Sequence, residues 1–306
     1  MARDETNLPG QAWHTGHGGV PSVPVTNPHA KSEQIDPRVI VVEDPADARL
    51  TDYRELNIQA TRTAMEGDEF FMAEGYMAID RLIDSGHRLR SVLLGPTRVK
   101  RFLPYLDRPE LAGVPVFVAE HEVMERIVGF NLHRGVLASG FRKPYPKVAE
   151  LAATTTRLVV LEALNDNQNV GAIARAARAF GFDAMVLSPN CTDPYYRRTV
   201  RVSMGEVLHM PTARVPLGEW PGALDTLHDL GFETWAMTPA DDADDLWKVE
   251  VPERLAVVFG AEGPGLEAAT MRRTLRRVRI PIAPNVDSLN VGHAAAVTFA
   301  AVNRSD

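Results

Sequence analysis

Hydrophobic positions along this chain fall into two successive blocks in which helical and strand-like spacings alternate. The first block begins near residue 53. In FFMAEGYMAIDRLIDSGHRLRSVLLG, Met72, Tyr76, Ile79, Leu82 and Ile83 recur three or four residues apart, which predicts one helix closed by Ser85-Gly86. A strand follows at 91–94, a helix at 99–106, a strand at 114–118, a short helix at 121–128 and a strand at 134–139. The stretch FRKPYP at 141–146 reads as a linker, because its prolines stop a helix.

The second block has longer apolar strands. It runs strand 158–161, helix 170–180, strand 184–187, strands near 234–237 and 255–259, strand 278–282 and helix 291–302. Strands alternating with helices predict a parallel sheet covered on both faces, with ligands held beyond the carboxyl ends of the strands. Residues 1–45 are rich in Gly, Pro, His and Asn, show no period and read as a flexible tail. The irregular spacing of His14, His17 and His29 within it does not match metal-ligand patterns. The expected organisation is therefore a tail (1–45), a small α/β domain (46–145) and a larger α/β domain (150–306).

Composition narrows the class. The 306 residues are 45% hydrophobic and 24% charged, an ordinary globular balance. No run of 18 apolar residues predicts a membrane span, and the N-terminus carries no basic-then-apolar signal. The single cysteine, Cys191, excludes an intrachain disulfide and a CxxC metal site. A reducing, cytoplasmic setting without a metal or a membrane is expected. Net charge of −7 argues against indiscriminate coating of nucleic acid, yet arginines cluster in RVKR (98–101), RRTVR (197–201) and MRRTLRRVR (271–279).

Candidate chemistry lies in three loops. GxGxxG, GxxxxGK[ST], HExxH and GxSxG are missing, which disfavours dinucleotide oxidoreductases, P-loop enzymes, zinc proteases and α/β-hydrolases. The first loop opens the helix NVGAIAR, where Asn169 is the expected N-cap, Gly181 the residue past the C-terminus and Arg175 lies off the buried stripe. A helix start at the sheet edge favours anions, so Arg175 is expected near a phosphate there. The second loop, FGAEGPG, follows the strand LAVVF, and its three glycines allow close backbone approach to a ligand beside Glu262. The third, IPIAPNVDSLNV, leads into an alanine-rich helix that Ser288 or Asn290 can cap.

NVGAIAR at 169–175, FGAEGPG at 259–265 and IPI…SLNV at 280–291 resemble, in order, the three motifs of the SpoU/TrmH family, S-adenosylmethionine-dependent RNA ribose 2′-O-methyltransferases of the SPOUT superfamily. RVSMG at 201–205 is similar to a further family segment. The resemblance spans about 158–302. Glu74-Gly75 and HRGVLA at 133–138 are similar to the ribosomal-protein-like RNA-binding domain of many members.

The resemblance implies a C-terminal SPOUT domain with a deep trefoil knot, a small α/β N-terminal RNA-binding domain, and a homodimer packed through the knot helices. It implies that Phe259, Gly260, Glu262, Gly265, Ile280, Ile282, Ser288 and Leu289 hold S-adenosylmethionine. Asn169, Arg175, Glu262, Ser288 and Asn290 would shape the methyl-transfer pocket. RNA is the implied partner, ribosomal ahead of transfer RNA. A base-methylating SPOUT enzyme and a non-catalytic RNA-binding or assembly factor are the alternatives. Arg175, a guanidinium that stays protonated, is expected to bind a phosphate and orient the ribose. Gly292 and His293 depart from the small-then-aliphatic pair usual in the family, and a partly buried structural role is expected for His293.

Overall fold

The computed structural model describes residues 36–132 and 135–303. The expectations about residues 1–35, including His14, His17 and His29, and about His133 and Arg134 lie outside the described residues.

Two sheets organise the chain. The first contains β1 (Val39–Val41), β2 (Phe70–Glu74), β3 (Leu89–Leu94), β4 (Val116–Val118) and β5 (Val136–Phe141), in the order β1-β4-β3-β5-β2. β4 runs parallel to both β1 and β3, whereas β5 is antiparallel to β3 and β2. Its helices are α1 (Gln59–Glu66), α2 (Tyr76–Asp84), α3 (Pro96–Phe102) and α4 (His121–Val128).

Two expectations change here. The helix expected from Met72 onward is two elements. FFMAE is a strand buried at every position, and Gly75 at φ 88° breaks the chain before α2. Only Tyr76, Ile79, Leu82 and Ile83 form the helical stripe. Met72 matched that period by coincidence, since a five-residue strand buried on both faces carries no alternation. Val39–Val41, assigned to the tail, is an edge strand, and Val42 N donates to Val118 O at 2.8 Å. Three residues are too few to show a period.

The second sheet holds β6 (Arg157–Leu161), β7 (Ala184–Leu187), β8 (Thr212–Arg214), β9 (Glu233–Met237), β10 (Asp244–Asp245), β11 (Leu255–Phe259) and β12 (Arg276–Arg279), in the order β10-β12-β9-β11-β6-β7-β8. Every pairing is parallel, as the alternation predicted. Its helices are α5 (Val148–Ala153), α6 (Asn167–Ala179), α7 (Arg197–Val202), α8 (Ala223–Asp229), α9 (Ala268–Arg273) and α10 (Val291–Val302). β6 and β11 are the central strands, and from Leu158 to Leu161 and Leu255 to Phe259 they are buried throughout. Phe182, Phe259 and Phe299 pack as a ring cluster under α10, with centroids 4.2 and 5.8 Å from Phe299.

Residues 141–146 do not form a free linker. Arg142 Nε donates to Phe70 O at 2.7 Å and Nη2 to Asp193 Oδ2 at 2.6 Å, and the Tyr145 ring stacks 6.0 Å from that of Tyr195. The second layer holds the strap through these contacts. Glu74 and Arg197 pair at 2.6 Å and Arg81 and Glu206 at 2.7 Å across the same boundary.

Candidate functional site

Loops leaving the carboxyl ends of β9, β11 and β12 enclose a cleft of about 320 Å³, within the range of small-molecule sites. Phe259, Gly260, Glu262, Gly265, Ile280, Ile282, Ser288 and Leu289 all line it, together with Asn290. The sequence reading missed Met237, Thr238 and Pro239, which form the wall after β9. That strand end carries no glycine cluster and no charge, so only the sheet order brings it to the cleft.

The glycine loop is shaped by a contact only glycine permits. A Cβ on Gly260 would lie 2.2 Å from the carbonyl carbon of Gly265. Gly265 N donates to Ala261 O at 3.0 Å and Gly265 takes φ +73°, so the loop folds tightly back on itself. Both ends of the loop are fixed by Glu162, a buried carboxylate directly after β6. Its backbone N–H donates to Phe259 O at 2.8 Å. Its side chain accepts from Glu267 N at 2.9 Å, from Trp220 Nε1 at 2.5 Å and from the Thr270 hydroxyl. Glu162 was not singled out from sequence, although an acidic residue closing a fully apolar strand is a usable signal.

Asn290 joins the three motifs. Its Nδ2 donates to Glu262 Oε1 at 2.7 Å and to Asn169 Oδ1 at 3.0 Å. Its Oδ1 accepts from the N–H groups of Gly292 and His293 at 2.9 and 3.2 Å, so it is also the N-cap of α10. A Cβ on Gly292 would stand 3.2 Å from the capping Asn290 Oδ1 and in ordinary contact with α6, 3.5 Å from the Ala172 Cβ and 3.8 Å from Asn169 Oδ1.

Three expectations are corrected. Asn169 is not the N-cap of α6; Asp166 is, accepting from Gln168 N at 2.8 Å, and the helix begins at Asn167. A carboxylate therefore already occupies the helix N-terminus. Asn169, in the first turn and buried, is freed to bind Asn290 instead. Arg175 lies eight residues into α6, about 12 Å from its start at about 1.5 Å per residue, and is not part of the cleft lining. It shares the i, i+4 row of Gly171, which meets Thr199 O and Val202 of α7, whereas Asn169 and Ala172 meet α10. Arg175 is exposed and, among the described residues, has no ion pair. His293 is exposed, not partly buried, because Asn290 caps the helix with that residue on its outer side. Asn167 is buried in the first turn and accepts from the hydroxyls of Thr192 and Thr199 at 2.7 and 3.0 Å. Gly181, at φ +72°, stands past the C-cap Phe180 as expected.

Among the described residues no group of three His, Cys, Asp or Glu is arranged to hold a metal ion, and no helix is long and apolar enough to cross a membrane. Glu262 is the only ionisable side chain among the described residues that line the cleft.

Residues 156–300 match the SpoU rRNA Methylase family. An uncharacterized tRNA/rRNA methyltransferase of Mycobacterium tuberculosis (strain H37Rv) is 43% identical over 266 residues, covering 86% of this chain and 91% of that protein. The 23S rRNA (guanosine(2553)-2′-O)-methyltransferase RlmP of Bacillus subtilis is 24% identical, covering 84% of this chain and 96% of that protein. In three dimensions the chain is similar to an AdoMet-bound rRNA methyltransferase of Sinorhizobium meliloti, with a TM-score of 0.72 at 24% identity over 87% of this chain and 97% of that one.

Proposed function

The chain belongs to the SpoU rRNA Methylase family, and from that premise we propose that it methylates the 2′-hydroxyl of a ribose in ribosomal RNA, with S-adenosylmethionine as donor. The observation that carries this reading is the convergence of the three motifs on one cleft through Asn290. When bound, S-adenosylmethionine supplies the methyl group. The cleft fits it: the volume suits a nucleoside-sized ligand, Gly260, Gly263 and Gly265 line it without side chains, and Ile280, Ile282 and Leu289 offer apolar walls. Glu262 gives this otherwise neutral cleft one anionic group, suited to a cationic ligand.

The chain's own residues act by positioning. Asn290 orients the Glu262 carboxylate and the Asn169 amide toward one point, and Ser288 adds a hydroxyl at the same rim. Arg175 supplies an unneutralised guanidinium for a nucleotide phosphate, a contact for which its planar fork is suited.

Residues 46–145 together with β1 serve as the RNA substrate-binding domain and 150–306 as the methyltransferase domain, in the cytoplasm. A trefoil knot is supported by the path of residues 280–290. They leave edge-side β12, pass the ends of β9 and β11, and deliver α10 onto α6. A homodimer is supported by α10, which carries no charged residue and leaves Ala294, Ala296, Val297 and Ala301 partly exposed.

The test is methyl transfer from radiolabelled S-adenosylmethionine to ribosomal RNA from cells lacking this chain, followed by nucleoside digestion and mass spectrometry. A 2′-O-methylated nucleoside is expected. A methylated base would overturn the ribose assignment, and no transfer to any RNA together with no cofactor binding would make the chain a non-catalytic binder.

A further inference from the structure

The three arginine clusters look alike in sequence but differ once folded. In the last one, Arg276 pairs with Glu233 and Asp244 at 2.8 and 2.9 Å, Arg277 with Asp242 at 2.6 Å, Arg279 with Asp241 at 3.6 Å, and Arg273 with Asp225. Those charges are largely spent on stapling β12 and α9 to neighbouring segments. In the first cluster, none of Arg98, Lys100 and Arg101 has a carboxylate within 4.0 Å among the described residues. In the middle cluster Arg197 and Arg201 share a single carboxylate, Glu74, at 2.6 and 3.7 Å, while Arg198 is exposed and has no ion pair among the described residues.

The first cluster and the middle one, where two arginines share one carboxylate, are linked through the end of β2 and the start of α2, although about 100 residues separate them in sequence. Glu74 is followed directly by Gly75 and Tyr76. The Tyr76 hydroxyl donates to Arg98 O at 2.9 Å, and the Arg101 guanidinium lies 4.0 Å from the centre of the Tyr76 ring. This ring contact holds Arg101 in place without neutralising it. On its other side α7 is fastened to the first turn of α6 by the Thr199–Asn167 hydrogen bond at 3.0 Å. It is packed so closely that a Cβ on Gly171 would lie 2.9 Å from Thr199 O. The next residue along the Gly171 row is Arg175.

We propose that Arg98 and Arg101 of α3 with Arg198 and Arg201 of α7 form one continuous phosphate track, which leads the RNA backbone from the first layer to Arg175. The proposal rests on the reading of the chain as an RNA methyltransferase and names the surface that the substrate crosses. The track explains how a chain of net charge −7 binds a polyanion: carboxylates cancel the arginines on β12, whereas here a single carboxylate, Glu74, leaves an excess of positive charge.

The test measures binding of the full chain to ribosomal RNA from cells lacking it, between about 50 and 200 mM salt. It compares wild type with Arg98→Gln/Arg101→Gln, with Arg198→Gln/Arg201→Gln, and with Lys248→Gln/Arg272→Gln, which removes the same charge elsewhere. Each track pair is expected to weaken RNA binding at least about tenfold and to lower the salt slope by about two, one for each phosphate that an arginine no longer neutralises. Affinity for S-adenosylmethionine, read by calorimetry, stays at the wild-type value and reports that the variants are folded. In turnover the Arg98/Arg101 pair raises KM for RNA and keeps kcat. Wild-type slopes in both track pairs, or an equal weakening in the Lys248/Arg272 pair, overturn the track. A wild-type chain that neither binds the cofactor nor methylates RNA overturns instead the reading beneath it.

Discussion

Asn290 Nδ2 lies 3.0 Å from Asn169 Oδ1, joining residues 121 positions apart in sequence by one side-chain hydrogen bond. The same nitrogen holds Glu262, and the opposite end of the amide caps α10. One side chain thus gives up its donors to the site and its acceptor to the helix.

The two ends of Asn290 can be separated by substitution. Asn290→Asp keeps the capping oxygen but turns the donor into an oxygen facing Glu262 and Asn169. It should keep thermal stability near wild type and lose methyl transfer by at least about tenfold, roughly the effect of one lost charge-assisted hydrogen bond. Asn290→Ala should also lose about 1 kcal/mol of stability with the cap. Thermal melts alongside turnover would check both, and equal melting losses in the two variants would contradict the division.

Gly260→Ala should weaken cofactor binding at least about tenfold, because the new Cβ meets backbone at Gly265, which cannot rotate away as a side chain can. Gly263→Ala has nothing within 4 Å and differs only in its φ of +86°, so it should cost about 1 kcal/mol of local strain with a smaller effect on binding. Calorimetric titration with S-adenosylmethionine ranks the two; the reverse order would be inconsistent with a loop shaped by the Gly260–Gly265 contact.

Arg175→Ala should leave stability within about 0.5 kcal/mol, since the side chain is exposed and has no ion pair among the described residues. Methylation should fall close to background while cofactor affinity holds. Arg175→Lys should recover only part of the activity, as an ammonium lacks the paired geometry. Full turnover in the alanine variant would remove Arg175 from the mechanism.

Glu162→Gln places an amide –NH2 among groups that all donate, namely Trp220 Nε1, Thr270 Oγ1 and Glu267 N. A loss of about 1–3 kcal/mol is expected from the unmet donor. Because Glu162 fixes both ends of the glycine loop, KM for S-adenosylmethionine should rise more than kcat falls. A stability loss with an unchanged KM would show that the loop does not depend on it.

Burial lowers the His87 imidazole from its ordinary 6.5 to about 4, against a smaller opposing effect from its bond to Phe141 O at 2.9 Å. The unfolded chain therefore takes up a proton that the folded chain refuses. Stability should be complete above about pH 6.5, fall as pH drops toward 4, and flatten below, by on the order of 3 kcal/mol. Denaturant unfolding across that window with wild type and His87→Gln checks this; the variant should show a shallower slope.

Much of both layers was legible because their signals are local. β7, β11, α4 and α10 occupy the very residues their periodicity predicted. FGAEGPG and SLNV announced a ligand loop and a helix cap independently of the surrounding fold. β2 was misread because a strand buried on both faces has no alternation, and its apolar residues happened to match the helical spacing of α2. The cap of α6 was misplaced by three residues, since Asp166 and Asn169 are equally good caps and only the fold gives Asn169 another partner.

The sequence by itself determined the alternating layers, the parallel sheet and the residue types of the three motifs, because spacing, capping and glycine content act within a few residues. Tertiary structure alone decided which carboxylate meets which arginine, that Arg175 is exposed and outside the cleft lining, and that Glu162 anchors the glycine loop. Those outcomes depend on what lies opposite a side chain after the sheet has ordered its strands, and neither charge nor spacing along the chain carries that information.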